Sequence, residues 1–309
     1  MNACIRAVVK KALYNNIEVI GIHDGFLGMM EGRYENLKYQ HVDNIIHLGG
    51  TVLGSARSEE FKTKEGRDKA IAFIKSVGLE GLVVIGGDGS FAGAQALSSE
   101  CAIPVIGLPG TIDNDIYGTD FTIGYSTALQ TVVDAVDKLR DTATSHHRMF
   151  FVEVMGRDAG FIALNSAIAS GAEEVLIPEE ITNMDDLVEE LKKLNRGRRS
   201  SIVIVSEGDD AGNVTEIVRK VQPRIPELEF RVTVLGHVQR GGSPNVHDRI
   251  LATRMGHRAL EALLEGKNEI MIGVKGEELV SCPLKKSIKL HSAPDMSRLS
   301  LIRELRTHF

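Results

Sequence analysis

The chain has 309 residues, of which 43% are hydrophobic and 25% are charged, and it carries a formal net charge of −6. This length allows two domains, or one large domain with an insertion, and the composition excludes a disordered chain. The acidic charge disfavours nucleic acid as the main partner. No apolar run approaches the roughly 20 residues that span a bilayer, and the first residues lack a signal-peptide pattern, so we expect no membrane partner.

The three cysteines, Cys4, Cys101 and Cys282, lie far apart in the sequence. Their odd number and their spacing fit neither a disulfide framework nor a metal site. Such cysteine usage is typical of a reducing compartment, and we expect a cytoplasmic protein.

Helices and strands are predicted to alternate along most of the chain. The apolar pattern predicts a helix over 1–15, a strand over 18–22 and a loop over 23–28, whereas residues 31–48 show no clear pattern. Later strands are predicted at 81–85, 103–108, 149–154, 174–177, 201–205 and 231–235. Later helices are predicted at 63–77, 91–98, 126–141, 161–169, 184–194 and 248–265. This alternation predicts βαβ units, parallel sheets and an α/β fold.

The residues Gly86-Gly87-Asp88-Gly89-Ser90 connect one predicted strand to the following helix. Glycines in such a turn let backbone N–H groups approach a ligand, and the N-terminal end of a helix favours phosphate. Asp88 beside a phosphate would then serve as a ligand of Mg²⁺. An ordinary strand-to-helix turn, with glycine for tightness and Asp or Ser as the helix cap, explains the same residues. The motif alone does not decide between the two.

Five predicted strands run directly into glycine-rich loops that carry charged or hydroxyl side chains. Ligands of parallel α/β sheets bind at the carboxyl ends of the strands, so these loops are expected to line one or two clefts. Any one of them is more often a structural turn, but five in sequence favour a binding site. Their charged residues are Asp88, Asp113, Asp115, Arg157, Glu207 and Arg240.

The acids and arginines of these loops indicate the chemistry. Carboxylates beside a phosphate-binding loop suggest Mg²⁺ on a nucleotide, together with a base that accepts a proton from an attacking hydroxyl group. Arginines suit the anionic end of a second substrate, because guanidinium pairs bidentately with phosphate. The combination predicts phosphoryl transfer to a phosphorylated hydroxyl compound. The sequence has neither a Walker motif nor the protein-kinase signature set.

At these motifs the chain resembles the bacterial ATP-dependent 6-phosphofructokinase family, from Met1 to about residue 280. The matching blocks are Gly86 to Ser90, Pro109 to Asp115, Met155 to Gly160, Gly236 to Gly242 and Val246 to Arg249. The resemblance implies a glycolytic kinase that moves the γ-phosphoryl group of ATP to the C1 hydroxyl of fructose 6-phosphate, giving fructose 1,6-bisphosphate and ADP.

The resemblance also implies the architecture, namely two Rossmann-like three-layer α/β/α domains with mainly parallel sheets. The larger, ATP-binding domain is expected at 1–123 and about 237–285. The smaller, sugar-phosphate-binding domain is expected at about 124–236 and 286–309.

Roles for individual residues follow from the same resemblance. Asp113 matches the base that accepts the C1 hydroxyl proton, and Thr111 and Asp115 belong to the same catalytic loop. Arg157 matches the residue that stabilises the transferring phosphoryl group. Arg148 and Arg240 match arginines that reach the sugar phosphate from a neighbouring subunit, which implies a homotetramer. The full set expected to bind the sugar phosphate is Thr111, Ile112, Asp113, Arg148, Met155, Gly156, Arg157, Glu207, Arg240, Val246, His247, Asp248 and Arg249.

For the nucleotide, the resemblance assigns Mg²⁺ to Asp88. It assigns ATP to Arg57, Ser58, Gly87, Asp88, Gly89 and Ser90. Pyrophosphate-using relatives typically carry Asp at the position of Gly89 and Lys at that of Gly110. Both are glycine here, and a side chain at position 89 would enter the space of the α-phosphate. We therefore expect ATP, rather than pyrophosphate, as the phosphoryl donor.

Members of the resembled family bind ADP or GDP as activators, and phosphoenolpyruvate as an inhibitor, at a basic site between subunits. The matching residues here are Arg6, Lys10, Arg140, Arg196, Arg198 and Arg199. Tyr39 stands where an effector-binding arginine is common. A solvated basic loop without a ligand explains residues 196–199 equally well.

Members of that family begin earlier, with a strand that leads into a Gly-Gly-Asp-x-Pro-Gly loop against the ATP phosphates. We expect that an internal methionine was taken for the first residue of this sequence. If the protein lacks that loop, the alternative is a catalytically impaired or regulatory subunit.

A second alternative keeps the fold but changes the substrate. NAD kinases and diacylglycerol kinases share a Gly-Gly-Asp-Gly loop with this chain, but they lack the blocks at Pro109 and Met155. Residues 291–309 match the family poorly and support no expectation.

Overall fold

The computed structural model describes residues 1–146, 148–195 and 201–305. The helices within these ranges are α1 (Asn2–Tyr14), α2 (Gly25–Glu31), α3 (Tyr39–Val42), α4 (Lys64–Val77), α5 (Asp88–Cys101), α6 (Tyr125–His146), α7 (Phe161–Ser170), α8 (Met184–Asn195), α9 (Val214–Val221), α10 (Val246–Leu264), α11 (Leu284–Lys289) and α12 (Ser297–Leu305). The strands are β1 (Val19–Ile22), β2 (Tyr34–Leu37), β3 (Leu82–Gly86), β4 (Val105–Thr111), β5 (Ile123–Gly124), β6 (Met149–Val154), β7 (Glu174–Leu176), β8 (Ser201–Ser206), β9 (Phe230–Val234), β10 (Ile270–Lys275) and β11 (Glu278–Pro283). Short 3-10 helices lie at Glu60–Lys62, Gln222–Arg224 and Gly236–Gln239.

The chain divides into two compact units, each assembled from segments that are distant in the sequence. The first unit comprises residues 1–111, 116–124 and 241–292. The second unit comprises residues 112–115, 125–240 and 293–309. The expected assignment of ATP to one domain and of the sugar phosphate to the other stays a prediction.

The first unit contains a five-stranded sheet in the order β11-β10-β4-β3, with β5 paired to β4. All its pairings are parallel except that of β10 with β11. On β4, Val105 packs with helices α4, α5 and α11, whereas Ile106 packs with α1 and α10. Because successive residues of a strand point to opposite faces, this sheet is covered by helices on both sides. Strands β1 and β2 form a separate antiparallel pair.

The second unit contains a four-stranded, fully parallel sheet in the order β7-β8-β6-β9. On β8, Ile202 and Ile204 pack with α6, α7 and α12, whereas Val203 and Val205 pack with α8 and α9. The continuous apolar run of this strand is what a parallel strand needs when helices cover both of its faces. The strand β8 therefore contributes apolar side chains to both faces of the sheet.

The α/β fold class and the mainly parallel sheets are confirmed, and every predicted helix and strand is present. The loop predicted over 23–28 is wrong, because α2 begins at Gly25. Phe26 stacks on Phe61 with the ring centroids 4.1 Å apart, and Met29 is buried, so packing supports a helix that the local sequence does not indicate. None of the helices in the described ranges is long and apolar enough to cross a bilayer.

Candidate active site

In the first unit, the turn between β3 and α5 is the predicted phosphate loop. Helix α5 begins at Asp88, which is earlier than predicted, and its N-cap residue is Gly87 in an extended conformation. The cap therefore has no side chain, so the alternative in which Asp88 or Ser90 serves as the helix cap does not apply. The first N–H groups of a helix have no partner within the helix, and a phosphate can accept from them.

The glycines of this turn differ in what surrounds them. A Cβ atom added at Gly86 would lie 2.4 Å from Ser90 Oγ, so packing within the chain requires glycine there. A Cβ atom added at Gly87 or Gly89 would have no neighbour within 4 Å. Packing within the described chain does not explain these two glycines. Open space beside the start of a helix of 14 residues is what a phosphate group needs.

Asp88 fits a role as a single carboxylate ligand of Mg²⁺. Its side chain is half-buried, and its Oδ1 accepts the N–H of Gly89 at 2.7 Å. Across the described ranges, no group of three His, Cys, Asp or Glu side chains could hold a metal ion. Mg²⁺ is commonly bound by one or two carboxylates together with substrate phosphates and water. A nucleotide-borne Mg²⁺ therefore suits this turn better than a metal held by protein alone.

The second glycine-rich loop of the first unit is fixed by Asn2, which sequence reasoning missed. The Asn2 side chain is buried; its Nδ2 donates to the carbonyls of Leu48 at 3.0 Å and Gly49 at 3.2 Å. Its Oδ1 accepts the N–H of Val52 at 2.8 Å. One amide thus satisfies three backbone groups of the loop that leads to Arg57, which is exposed. An asparagine near the start of a helix gives no signal of this role.

In the second unit, the structure brings Asp113 and Arg157 together. Asp113 Oδ2 lies 3.6 Å from Arg157 Nε, and the Asp113 carboxylate is buried while the Arg157 side chain is 55% exposed. The two residues follow different strands, β4 and β6. Ile112 packs against the core of the unit beside Asp113, and Asp115 is half-buried.

Two side chains hold the Met155–Arg157 loop by its backbone. The N–H of Met155 donates to Gln239 Oε1 at 3.1 Å. The N–H groups of Gly156 and Arg157 both donate to Glu207 Oε1, at 3.3 and 3.0 Å. Three successive backbone donors are therefore satisfied from two other loops, which follow β8 and β9. This arrangement fixes the backbone that carries the Arg157 guanidinium.

The same loop has an unusual backbone conformation. Gly156 has a φ of 144°, and Arg157 has a φ of 52°, in the left-handed region that non-glycine residues rarely adopt. Gly208 approaches this loop so closely that a Cβ atom there would lie 2.0 Å from the Arg157 carbonyl oxygen. The loops after β6 and β8 are thus in direct contact, and glycine at position 208 is required for it.

Arg148 and Arg240 lie at opposite ends of the second sheet. Arg148 immediately precedes β6, whereas Arg240 follows the 3-10 helix that comes after β9, which runs parallel to β6. The six residues of β6 extend over about 20 Å. One neighbouring subunit could therefore not bring both arginines to the same phosphate group.

Arg231 accompanies Arg148, and sequence reasoning did not single it out. Arg148 Nε donates to Glu229 Oε2 at 3.0 Å, and Arg231 donates to the other oxygen of the same carboxylate. The two arginines lower the pKa of Glu229, with the Arg148 hydrogen bond as the main cause. Two guanidinium groups around one exposed carboxylate form a candidate anion site. The signal in the sequence was an arginine at an exposed position of a strand otherwise rich in valine.

The Val246–Arg249 block opens α10 in the first unit. Asp248 is only 2% exposed, and its Oδ1 accepts the N–H of Gly124 at 2.9 Å. Arg249 Nε donates to the carbonyl of Pro244 at 2.7 Å. These contacts hold the start of α10, so Asp248 and Arg249 have partners within the unit, and their assignment to the sugar phosphate stays a prediction. The exposed residues of the block are Val246 and His247.

Comparison with known proteins identifies the family. A family model described as phosphofructokinase matches residues 1–263. This chain belongs to the phosphofructokinase family. The ATP-dependent 6-phosphofructokinase 2 of Bacteroides thetaiotaomicron is 52% identical over 306 residues, which cover 99% of this chain and 94% of the relative. The ATP-dependent 6-phosphofructokinase of Bacillus subtilis is 50% identical, with 99% and 95% covered.

Solved phosphofructokinase structures share the fold. The enzyme from Saccharomyces cerevisiae superposes with a TM-score of 0.88 at 35% identity, over 99% of this chain and 45% of the yeast chain. This chain therefore spans less than half of the yeast chain's length. A pyrophosphate-dependent phosphofructokinase from Nitrosospira multiformis superposes with a TM-score of 0.86, over 96% of this chain and 82% of that chain. At 20% identity, this second likeness shows the fold alone.

Two of the phosphofructokinase effector residues expected from the sequence lie on α1 of the first unit. Arg6 and Lys10 are one helical turn apart, so they share a face of the helix. Lys10 Nζ pairs with Asp43 Oδ1 at 2.7 Å and lies 6.0 Å from the centre of the Tyr39 ring. The basic charge of Lys10 is thus already compensated in part by a neighbour.

The remaining effector residues belong to the second unit or are not described. Arg140 Nη1 donates to Glu173 Oε1 at 3.1 Å, and its Nη2 donates to carbonyls at the end of α7. Glu173 is buried, so this ion pair anchors the Arg140 side chain. The residues outside the described ranges are Arg196, Arg198 and Arg199.

The close contact at Gly208 provides a test of the loop geometry. We expect Gly208→Ala to displace the Arg157 carbonyl and to lower kcat with ATP and fructose 6-phosphate by about 10²-fold, because small misplacements of catalytic groups have effects of that size. Steady-state kinetics would measure this. The matched control is Gly276→Ala in the turn between β10 and β11, where φ is +57° and no atom lies within 4 Å of the added Cβ. Equal kcat losses in both variants would contradict the assignment.

Proposed function

We propose that this protein is an ATP-dependent 6-phosphofructokinase, which transfers the γ-phosphoryl group of ATP to the C1 hydroxyl of fructose 6-phosphate. The observation that carries the proposal is the pair of Asp113 and Arg157 in the second unit, with 3.6 Å between Oδ2 and Nε. A buried carboxylate is suited to accepting a hydroxyl proton. An exposed guanidinium beside it is suited to stabilising charge on a transferring phosphoryl group. The two curated relatives described above carry the name of this activity.

In the proposed reaction, Asp113 accepts the proton of the C1 hydroxyl while that oxygen bonds to the γ-phosphorus of ATP. The bond between the γ-phosphorus and the oxygen of the leaving ADP breaks in the same displacement. Arg157 interacts with the oxygens of the transferring group, where negative charge is concentrated. Thr111 and Asp115 line the same loop. Bound Mg²⁺, with Asp88 as one ligand, would neutralise charge on the nucleotide phosphates.

For the nucleotide, we assign the β3–α5 turn of the first unit to the ATP phosphates. The support is the open space beside Gly87 and Gly89 at the start of α5. Arg57 and Ser58 complete this assignment. ATP is the proposed donor because Gly89 and Gly110 lack the side chains that pyrophosphate-using relatives typically carry.

For the sugar, we assign Met155, Gly156 and Glu207 to the body of fructose 6-phosphate, beside Asp113 and Arg157. Glu207 Oε1 already holds the loop, and we assign its Oε2 to a sugar hydroxyl. The other residues assigned to this substrate are Thr111, Ile112, Arg240, Val246, His247, Asp248 and Arg249, with Asp248 and Arg249 acting through the turn that they hold.

We propose a homotetramer in which Arg148 serves the sugar phosphate of a neighbouring subunit. The support is its position at the end of β6 opposite to Met155–Arg157. Arg231 shares Glu229 with Arg148, and we assign it to the same phosphate.

The proposal includes regulation by ADP or GDP and by phosphoenolpyruvate. The residues assigned to these effectors are Arg6, Lys10, Arg140, Arg196, Arg198 and Arg199. The proposal also includes a cytoplasmic location, which the three free cysteines support.

The role of Asp113 is tested by Asp113→Asn, which keeps the shape of the side chain but removes the basic oxygen. We expect kcat to fall by about 10²–10⁴-fold, the range typical of losing a general base, with a much smaller change in the KM for fructose 6-phosphate. A coupled assay of fructose 1,6-bisphosphate would measure both constants. Asp68→Asn on the exposed face of α4 is the control and should keep wild-type turnover. Near-normal turnover in Asp113→Asn would remove Asp113 from the role of base.

The choice of donor is tested by Gly89→Asp. We expect kcat/KM for ATP to fall by at least about tenfold, because like charges a few ångströms apart near a protein surface repel by several kcal/mol. Thermal unfolding should change little, since in the described part of the chain no atom beyond the neighbouring residues and the adjoining helix backbone lies within 4 Å of the added Cβ. Gly89→Ala separates the effect of bulk from that of charge. Unchanged ATP kinetics in Gly89→Asp would show that position 89 does not face the nucleotide.

A further inference from the structure

Gln239 is a buried polar residue that links two loops of the second unit. It ends the 3-10 helix Gly236–Gln239, and only 1% of its surface is exposed. Its Oε1 accepts the N–H of Met155 at 3.1 Å, and its Nε2 donates to the carbonyl of Gly236 at 3.1 Å. Arg240 follows it directly in the chain.

The chemistry of the two partners fixes the orientation of the Gln239 amide. A backbone N–H group can only donate, so the oxygen of the amide must face Met155. A backbone carbonyl can only accept, so the nitrogen must face Gly236. Only a side chain that has both an acceptor and a donor at this length satisfies the two groups together. Met155 is buried and Gly236 is half-buried, and buried backbone groups rarely remain unsatisfied, so we expect the loss of this amide to shift the loop that begins at Met155.

The loops that Gln239 links are those assigned to the sugar phosphate. One runs from Met155 to Arg157, and its next two N–H groups donate to Glu207. The other ends at Arg240. Without Gln239, the Met155–Arg157 loop is held at its second and third N–H groups but not at its first. Among the described side chains, Gln239 is thus the one that joins the Met155–Arg157 loop by hydrogen bonds to the turn that carries Arg240.

We propose that Gln239 is a positioning residue for phosphoryl transfer. It holds the Met155–Arg157 loop and the turn that carries Arg240 in one arrangement, and it thereby sets both the affinity for fructose 6-phosphate and the placement of Arg157. It does not touch the substrate. This inference rests on the proposed function, since it acts through residues assigned there.

Gln239→Met tests the proposal, because methionine keeps the length of the side chain and removes both hydrogen bonds. We expect the KM for fructose 6-phosphate to rise about tenfold or more and kcat to fall, since misplaced binding groups have effects of at least this size. The KM for ATP should stay within about twofold, because the nucleotide residues belong to the first unit. Initial rates with each substrate varied in turn, together with thermal unfolding of the full chain, supply these values.

The matched control is Gln222→Met in the same unit. Gln222 Nε2 donates to the carbonyl of Leu228 at 3.1 Å, so this variant also removes an amide-to-backbone hydrogen bond. A variant that is merely less stable contains less active enzyme, so its apparent kcat falls while its KM values do not change. Gln222→Met should show at most that behaviour. If Gln239→Met does not fold, Gln239→Asn, which is too short to reach both partners, should show the same rise in the KM for fructose 6-phosphate.

The outcomes separate this inference from the proposed function. If the wild-type chain does not phosphorylate fructose 6-phosphate with ATP, the proposed function fails. If it does, but the folded Gln239 variant keeps the wild-type KM for fructose 6-phosphate, the positioning role fails. Equal rises in the KM values for both substrates would also overturn it, because they would indicate a general disturbance.

Discussion

The site of the second unit depends on side chains that hold the backbone of the Met155–Arg157 loop. A parallel sheet covered by helices on both faces leaves its loops as the place for polar chemistry. Such a loop has no ladder of its own to fix it. Here Glu207 and Gln239 accept its three successive N–H groups, and Gly208 packs against the Arg157 carbonyl. These contacts stabilise the left-handed backbone of Arg157 and place its guanidinium beside the buried Asp113.

The first unit also has glycine-rich loops whose backbone is not fixed by strand pairing. The turn between β3 and α5 combines the start of a helix with two glycines beside open space, and the N–H of Gly89 donates to Asp88 Oδ1. In the second glycine-rich loop, the buried amide of Asn2 takes up three backbone groups. The second unit thus satisfies three successive loop N–H groups internally and brings the side chains of Asp113 and Arg157 together. The binding of phosphate at the turn of the first unit stays a proposal.

Most helices and strands could be predicted from the sequence, because the spacing of apolar residues along the chain indicates which side of each element is buried. The continuous apolar run of β8 is an example. Helix α2 was missed because its support is the stacking of Phe26 on Phe61, which lies far along the chain. The roles of Asn2 and Gln239 were missed for the same reason, since each acts on backbone groups that are distant in the sequence. Arg231 was missed although its partner Glu229 is only two residues away, because an exposed arginine on a strand does not by itself indicate a ligand. Asp113 and Arg157 could be named in advance, but the 3.6 Å that joins them could not.

The proposed reaction transfers the γ-phosphoryl group of ATP to the C1 oxygen of fructose 6-phosphate. Phosphorus NMR of a reaction that contains purified protein, Mg²⁺, ATP and fructose 6-phosphate tests it most directly, because the spectrum shows which oxygen carries the new phosphate. We expect fructose 1,6-bisphosphate and ADP in equal amounts, and no faster reaction when pyrophosphate replaces ATP. ADP and free phosphate without a bisphosphate product, or faster turnover with pyrophosphate, would contradict it.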